Sequence, residues 1–326
     1  MKPERATGLL LIVTVIWGMT FIWMKVALNE ASEILGSDTD LGFLKTIIVV
    51  VRFLLAFVLL YVFHSGSRVG MVSKEARDGG LILGLLMFGG FWLQIWAIED
   101  VTPAVSAFLT SLYVVFTALI AATLGWQRMT LWAITGVVLA TAGAGILGLN
   151  SEIGAAGLDI AAFGVPEWLT VACALLFAMH ILATDKVTKQ VDPMQISLTS
   201  FGVVSLAGLV VCATMLLFGF AEPISAADSI ALLSSWKFTL SIICLGALGS
   251  LVAIGLLNYC QRFISPLRAA ILYALEPVWA LLVSISLGME LISMWLWIGG
   301  GALLAGNLVV EWAKLEGGWE PDITED

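Results

Sequence analysis

Ten long apolar stretches divide this chain, and they fall into two halves that repeat one another. The stretches cover 7–28, 42–63, 80–98, 104–124, 130–149, 167–186, 195–218, 238–259, 267–287 and 294–312. A helix crossing the hydrocarbon core of a bilayer needs roughly 20 apolar residues at about 1.5 Å each, and every stretch is close to that length. Lipid is therefore the solvent for most of the chain. Composition agrees, since 60% of the 326 residues are hydrophobic and only 12% are charged; a soluble protein carries about 25% charged residues. The expected fold is an all-α integral membrane protein of ten transmembrane helices.

The repeat is clearest between Pro103 and Pro266, which lie 163 residues apart. Thr102-Pro103-Ala104-Val105-Ser106-Ala107 returns as Ser265-Pro266-Leu267-Arg268-Ala269-Ala270. At the same offset Val115-Phe116 falls on Val278-Trp279, and Leu124-Gly125-Trp126-Gln127 falls on Leu287-Gly288-Met289-Glu290. Gly136 and Gly143 fall on Gly299 and Gly306. The implied units are a first five-helix repeat over 1–149, an outer linker over 150–166, a second repeat over 167–312 and an acidic cytoplasmic tail over 313–326.

Orientation follows from Lys and Arg, which favour the cytoplasmic side of short loops. With the N-terminus inside, the inner segments hold Lys2, Arg5, Arg68, Lys74, Arg77, Arg128, Lys186, Lys189, Arg262, Arg268 and Lys314, while the outer side holds only Lys237. Both termini are expected in the cytoplasm. Five crossings per repeat is an odd number, so the second half enters with opposite polarity and the repeats are inverted. Two halves that exchange conformations can open a central site to either side in turn, which points to movement of a solute. Duplication can also yield an inert scaffold, and that alternative stands beside it. The first stretch is longer than a signal-peptide core and lacks a small-x-small exit, so it is read as a retained helix.

A charge in hydrocarbon costs a few kcal/mol on insertion scales, so it needs a partner or water. Arg52 lies near the middle of the second stretch, Glu276 about ten residues into the ninth, and His180 in the inner half of the sixth. Lys25 and Lys45 lie near outer ends, where a long stem reaches the interface. Arg52 and Glu276 are candidates for the polar floor of a cavity that binds a charged or zwitterionic solute. Glu276 is also a candidate proton carrier. The alternative for the two is a structural ion pair, or Arg52 bonded to backbone carbonyls. At the repeat offset Glu276 corresponds to Tyr113, whose hydroxyl and ring make it a further candidate. Pro277, next to Glu276, suggests a hinge or a fixed kink.

Of thirteen tryptophans, Trp126, Trp168, Trp236, Trp295 and Trp312 lie near stretch ends and suit interface anchors. Trp17 and Trp279 lie deeper and are candidate cavity walls, although a ring packed between helices is the commoner outcome. Gln94 and Asn258 suit hydrogen bonding across helices. The glycines of the fifth and tenth stretches mark them as closely packed scaffold helices. Cys173, Cys212, Cys244 and Cys260 all fall in apolar stretches without metal or redox spacing and read as packing residues.

These marks resemble the drug/metabolite transporter superfamily, in its ten-helix EamA-type branch. Trp17-Gly18-Met19-Thr20-Phe21-Ile22-Trp23-Met24-Lys25 is similar to the family's W-G-x-x-F-x-x-x-K opening, and Arg52-Phe53 with Ala56 to its R-F-x-x-A motif. Leu275-Glu276-Pro277-Val278 and Leu287-Gly288-Met289-Glu290 resemble its L-x-P-V and L-G-x-E marks. In the first half Gln127 replaces the final Glu, and Tyr113-Val114 lacks the Pro. The resemblance implies a multi-pass transporter of the bacterial inner membrane, an exporter of amino acids or other small metabolites, with a central cavity between the halves. It leaves substrate and energy coupling open.

Other classes are less well served. A net charge of −9 argues against nucleic acid, which requires a basic face. No nucleotide-binding P-loop occurs, and neither a cofactor nor a metal is implied. A membrane-embedded enzyme would need clustered His, Asp or Glu, yet the chain has only His64 and His180. The expected partners are a small-molecule solute, the lipid bilayer and protons, in a monomer or a homodimer. A secondary transporter leads, followed by a passive facilitator or exchanger, with a receptor or non-transporting scaffold as the remaining alternative.

Overall fold

The computed structural model describes residues 3–36, 39–126, 129–149, 164–188, 190–260, 272–273 and 275–316. The repeat residues Ser265 to Ala270, most of the expected linker (150–163) and the tail from 317 onward lie outside the described residues. So do Lys2, Arg128, Lys189, Arg262 and Arg268.

Every regular element among the described residues is a helix. The chain runs through α1 (Pro3–Leu35), α2 (Gly42–Phe63), a 3-10 segment (Ser65–Met71), α3 (Lys74–Ala97), α4 (Pro103–Thr110), α5 (Tyr113–Thr123) and α6 (Leu131–Leu149). It continues with α7 (Val165–Thr188), α8 (Pro193–Leu217), α9 (Ala226–Ser234) and α10 (Trp236–Ile243), then a π-helical segment (Cys244–Val252) that leads into α11 (Ala253–Cys260). The last helices are α12 (Glu276–Ser286) and α13 (Met294–Glu316). Seven helical runs are long and apolar enough to cross a membrane, and three shorter apolar helices cover 131–147, 276–286 and 294–310.

Element ends follow local chemistry. Helix α1 outruns the expected 7–28 because nothing breaks it until Gly36, whose φ of +102° ends the helix as its N–H donates to the Ser32 carbonyl. Thr102 caps α4, its Oγ1 accepting from the Val105 N–H, and Pro103 fills the first turn, where a missing N–H costs nothing. The expected 104–124 helix is broken at Ser111 and Leu112. The Ser111 hydroxyl donates to the Phe108 carbonyl (2.7 Å), and Asn307 Nδ2 donates to the Ser111 carbonyl (3.2 Å) and Oγ (2.9 Å). A side chain from α13 thus satisfies backbone that the break frees. This broken span is the most enclosed, 78% buried against 28–44% for the other six.

Glycines set the closest helix approaches. A Cβ on Gly136 would lie 2.8 Å from the Gly306 carbonyl, so α6 and α13 touch backbone to backbone. The two helices expected to close separate halves therefore pack on each other. Helix α3 turns Gly84 to Val203 of α8 and Gly90 to Phe177 of α7, so it is wedged between them. On α1, a Cβ at Gly18 would lie 2.8 Å from the Trp279 Cβ and 2.9 Å from the Glu276 carbonyl, so Gly18 admits α12.

Side-chain ties collect the loops into two groups. At one end Lys25 Nζ donates to the carbonyls of Ile98 (3.0 Å) and Val101 (3.4 Å), and Lys45 pairs with Glu99. There too Glu30 accepts from Ser235 (2.7 Å) and Lys237 (3.1 Å). At the other end Gly70 meets Gln195, and Lys186 lies 4.0 Å over the Trp126 ring. Glu30, Glu99 and Lys237 in the first group belong to the side expected to be outer, and Lys186 in the second to the side expected to be inner. Lys25 and Lys45 were expected to reach lipid headgroups. Here Lys25 ties down the carbonyls of the turn that follows α3, and Lys45 pairs with the Glu99 carboxylate in the same turn.

Candidate functional site

A cavity of about 100 Å3 lies between the helices. Trp17 and Thr20 of α1 form one wall, with Met87, Phe91 and Gln94 of α3 beside them. Thr110 and Tyr113 come from the α4–α5 break, Phe177, His180 and Ile181 from α7, and Ile254 and Leu257 from α11. Tyr273 and Glu276 complete the lining. Both halves of the chain therefore contribute.

Four of the six residues singled out from the sequence, Trp17, Tyr113, His180 and Glu276, meet on this cavity. Tyr113 and Glu276, equivalent in the repeat, each open a helix after an interruption, α5 and α12 respectively. The helix start explains Pro277: it sits in the first turn of α12, where its lack of an N–H breaks no ladder bond.

Arg52 is also central but does not line the cavity. It is 2% exposed, its Nε donates to Ser250 Oγ (2.8 Å), and its guanidinium lies 4.2 Å over the Phe91 ring. It stands one layer behind the wall, against the π-helical segment. Among the described residues the ion pairs are Lys45–Glu99 and Lys237–Glu30. Arg52 and Glu276 do not pair. Trp279 points to α1, where its Nε1 donates to Thr14 Oγ1 (3.2 Å).

The lining combines rings with unmet polar atoms. Trp17 and Tyr273 have ring centroids 5.9 Å apart, and Phe91 and Phe177 meet edge to face at 4.9 Å. Among the described residues, Gln94 Oε1 and His180 Nε2 are buried without a hydrogen-bond partner. Buried polar atoms are nearly always bonded, so two such atoms on one cavity suit a polar occupant. A smaller void of about 10 Å3 shares Met87, His180 and Ile254 with the main cavity. It runs past the hydroxyls of Thr184, Thr188, Ser197 and Ser200 towards the inner group of loops.

Sequence reading missed Phe91, Phe177, Tyr273, Thr20 and Thr110, and took Gln94 only as a link between helices. Aromatic and hydroxyl residues cost little in a membrane helix, so nothing in the sequence separates those at a cavity from those in a packed seam. Gln94 alone gave a signal, as an amide inside an apolar run. Asn258, expected to work with it, has a side chain outside the described part.

Fold and site define a multi-pass helical membrane protein with a cavity enclosed between its helices, part aromatic and part polar. The chain belongs to the EamA-like transporter family, whose model matches residues 5–149 and 165–312. The resemblance read from the motifs is thus borne out at the level of family. The chain is 25% identical over 309 residues to an uncharacterized transporter of Archaeoglobus fulgidus, covering 92% of this chain and 84% of that protein. A solved structure, described only as the crystal structure of a protein, matches with a TM-score of 0.58 at 16% identity. That match covers 97% of this chain and 99% of the other, and it is a likeness of fold.

Proposed function

We propose that this chain is a secondary transporter of ten membrane helices in two inverted five-helix repeats, with both termini in the cytoplasm of a bacterial cell. It exports small amphipathic metabolites such as amino acids by alternating access, with the cavity as solute site and Glu276 as proton carrier. The observation that carries this reading is the cavity itself, which lies where both halves meet and exposes Gln94 Oε1 and His180 Nε2, polar atoms that no described residue satisfies. The pairing of helices supports the inverted repeat. Exchanging each span with the one five places along turns the α3–α7 contact into the contact of α1 with the α10–α11 rod. It likewise turns α3–α8 into α2 with that rod, and it maps α2–α8 and α6–α13 onto themselves. The repeat boundaries of 1–149 and 167–312 accord with the two segments matched by the family model. Trp17, Tyr113, His180 and Glu276 touch the solute in this scheme, while Arg52 and Trp279 shape the walls from behind.

The test is flux into proteoliposomes of a mixed panel of amino acids, amines and small metabolites, with and without a pH gradient. Saturable flux that the gradient strengthens, and that Glu276→Gln reduces at least tenfold, is expected. Flux indifferent to the gradient identifies a facilitator or exchanger and removes the proton role from Glu276. Absence of flux for every solute counts against transport.

A further inference from the structure

We propose that the cavity selects solutes by a protonated amine, held by Glu276 and surrounded by aromatic rings, with an apolar body of about one ring. This rests on the reading of the cavity as the solute site and narrows the class of solute from amino acids to amines that lack a carboxylate.

Charge gives the first argument. Among the described residues the cavity lining presents one carboxyl group, Glu276, one imidazole, His180, and no Lys or Arg. Glu276 is 8% exposed and has no ion-pair partner among the described residues. Arg52, the nearest candidate, is turned to Ser250 and covered by Phe91. Lys25 and Lys45 are engaged at the outer end. A buried carboxylate without a counter-ion is costly, and a ligand cation removes that cost. A ligand carboxylate would meet no Lys or Arg among the described lining residues and would sit near Glu276.

The rings give the second. Trp17, Phe91, Tyr113, Phe177 and Tyr273 make up five of the fourteen lining residues. Ring faces attract organic cations, most strongly where water is excluded. Gln94 Oε1, buried and unpartnered, is a neutral acceptor for an ammonium N–H. Size gives the third. A cavity of about 100 Å3 is of the order of the ~150 Å3 engineered cavity that admits benzene. An amine carrying one ring or a short alkyl chain fits, and it stays protonated at neutral pH, as a lysine ammonium does with a pKa of about 10.4.

The experiment uses the purified full-length protein in detergent at pH 7 and three probes with one skeleton: 2-phenylethylamine, 2-phenylethanol and 3-phenylpropionate. Binding is read by calorimetry and by tryptophan fluorescence, to which Trp17 contributes. The amine is expected to bind at least tenfold more tightly than the alcohol, with no binding of the acid. Glu276→Gln is expected to bring the amine to the affinity of the alcohol while leaving the alcohol unchanged. Equal binding of amine and alcohol, preference for the acid, or no binding by any probe overturns the proposal. The comparison on the unmodified protein stands even if the variant fails to fold. Because binding is measured without flux, failure here alongside transport of another solute leaves the transporter reading intact. Amine binding without transport of any solute removes that reading and leaves this one.

Discussion

Two charges stand out in the apolar stretches, and the fold treats them differently. Glu276 opens a helix onto the cavity, while Arg52 is sealed behind Phe91 with one hydrogen bond from Nε and no partner at Nη2. Burying a charge without a counter-ion costs several kcal/mol, a cost that an apolar side chain of similar volume does not carry. Arg52→Met is therefore expected to melt no lower than the parent in detergent, yet to slow flux, because the guanidinium, anchored by Ser250, supports the Phe91 ring that lines the cavity. A melting temperature several degrees lower would make Arg52 a purely structural residue. Both residues were legible in the sequence as expensive, but their assignment to wall or cavity was not. Glu290, outside the apolar runs, is a quieter case. It lies near Thr102 and Ala104 at the start of α4, and burial pushes its carboxyl above the usual 4.5.

At the scale of elements, close packing rests on particular glycines rather than on glycine content. The sequence grouped Gly136, Gly143 and Gly145 with Gly299, Gly300, Gly301 and Gly306 as small-residue faces. In the fold Gly136 and Gly143 meet Gly306 and Gly299, whereas Gly145 and Gly301 face open space. Overpacking a tight contact costs about 1–3 kcal/mol, and a surface change away from contacts stays within about 0.5 kcal/mol. Gly306→Leu should thus lower the melting temperature clearly and Gly301→Leu should not. Equal effects would show that α6 and α13 do not meet on this face. The break in the fourth span was hidden from the sequence because Asn307, nearly 200 residues away, satisfies the freed backbone at Ser111. The π-helical turn facing Arg52 was hidden for a similar reason: Ser250 serves both Leu245 and Arg52 there.

For the whole molecule, polar ties at the end that carries Lys25 and Glu99, expected to be the outer one, and a hydroxyl-lined void towards the opposite end set the two ends apart. Lys25 binds α1 to the turn between α3 and α4. Lys25→Met removes those donors and should free the outer end. A cysteine placed at Thr20, on the cavity wall, is then expected to react several-fold faster with an impermeant thiol reagent applied outside. An unchanged rate would mean that Lys25 does not hold the outer end shut.

The sequence by itself determined the apolar solvent, the approximate extent of most helices and the family, because each depends on hydrophobic length or on motif order. It also marked Glu276, since a carboxylate in hydrocarbon cannot go unnoticed. Only the tertiary structure decided which rings face the cavity, which glycines touch, and that Arg52 stands behind the wall. The physical reason is the solvent. In water a helix betrays its inner face by turning apolar residues inward and polar ones outward. In lipid both faces are apolar, and packing rather than polarity separates them. That separation is written in contacts between residues far apart in the chain, which appear only when the helices are assembled.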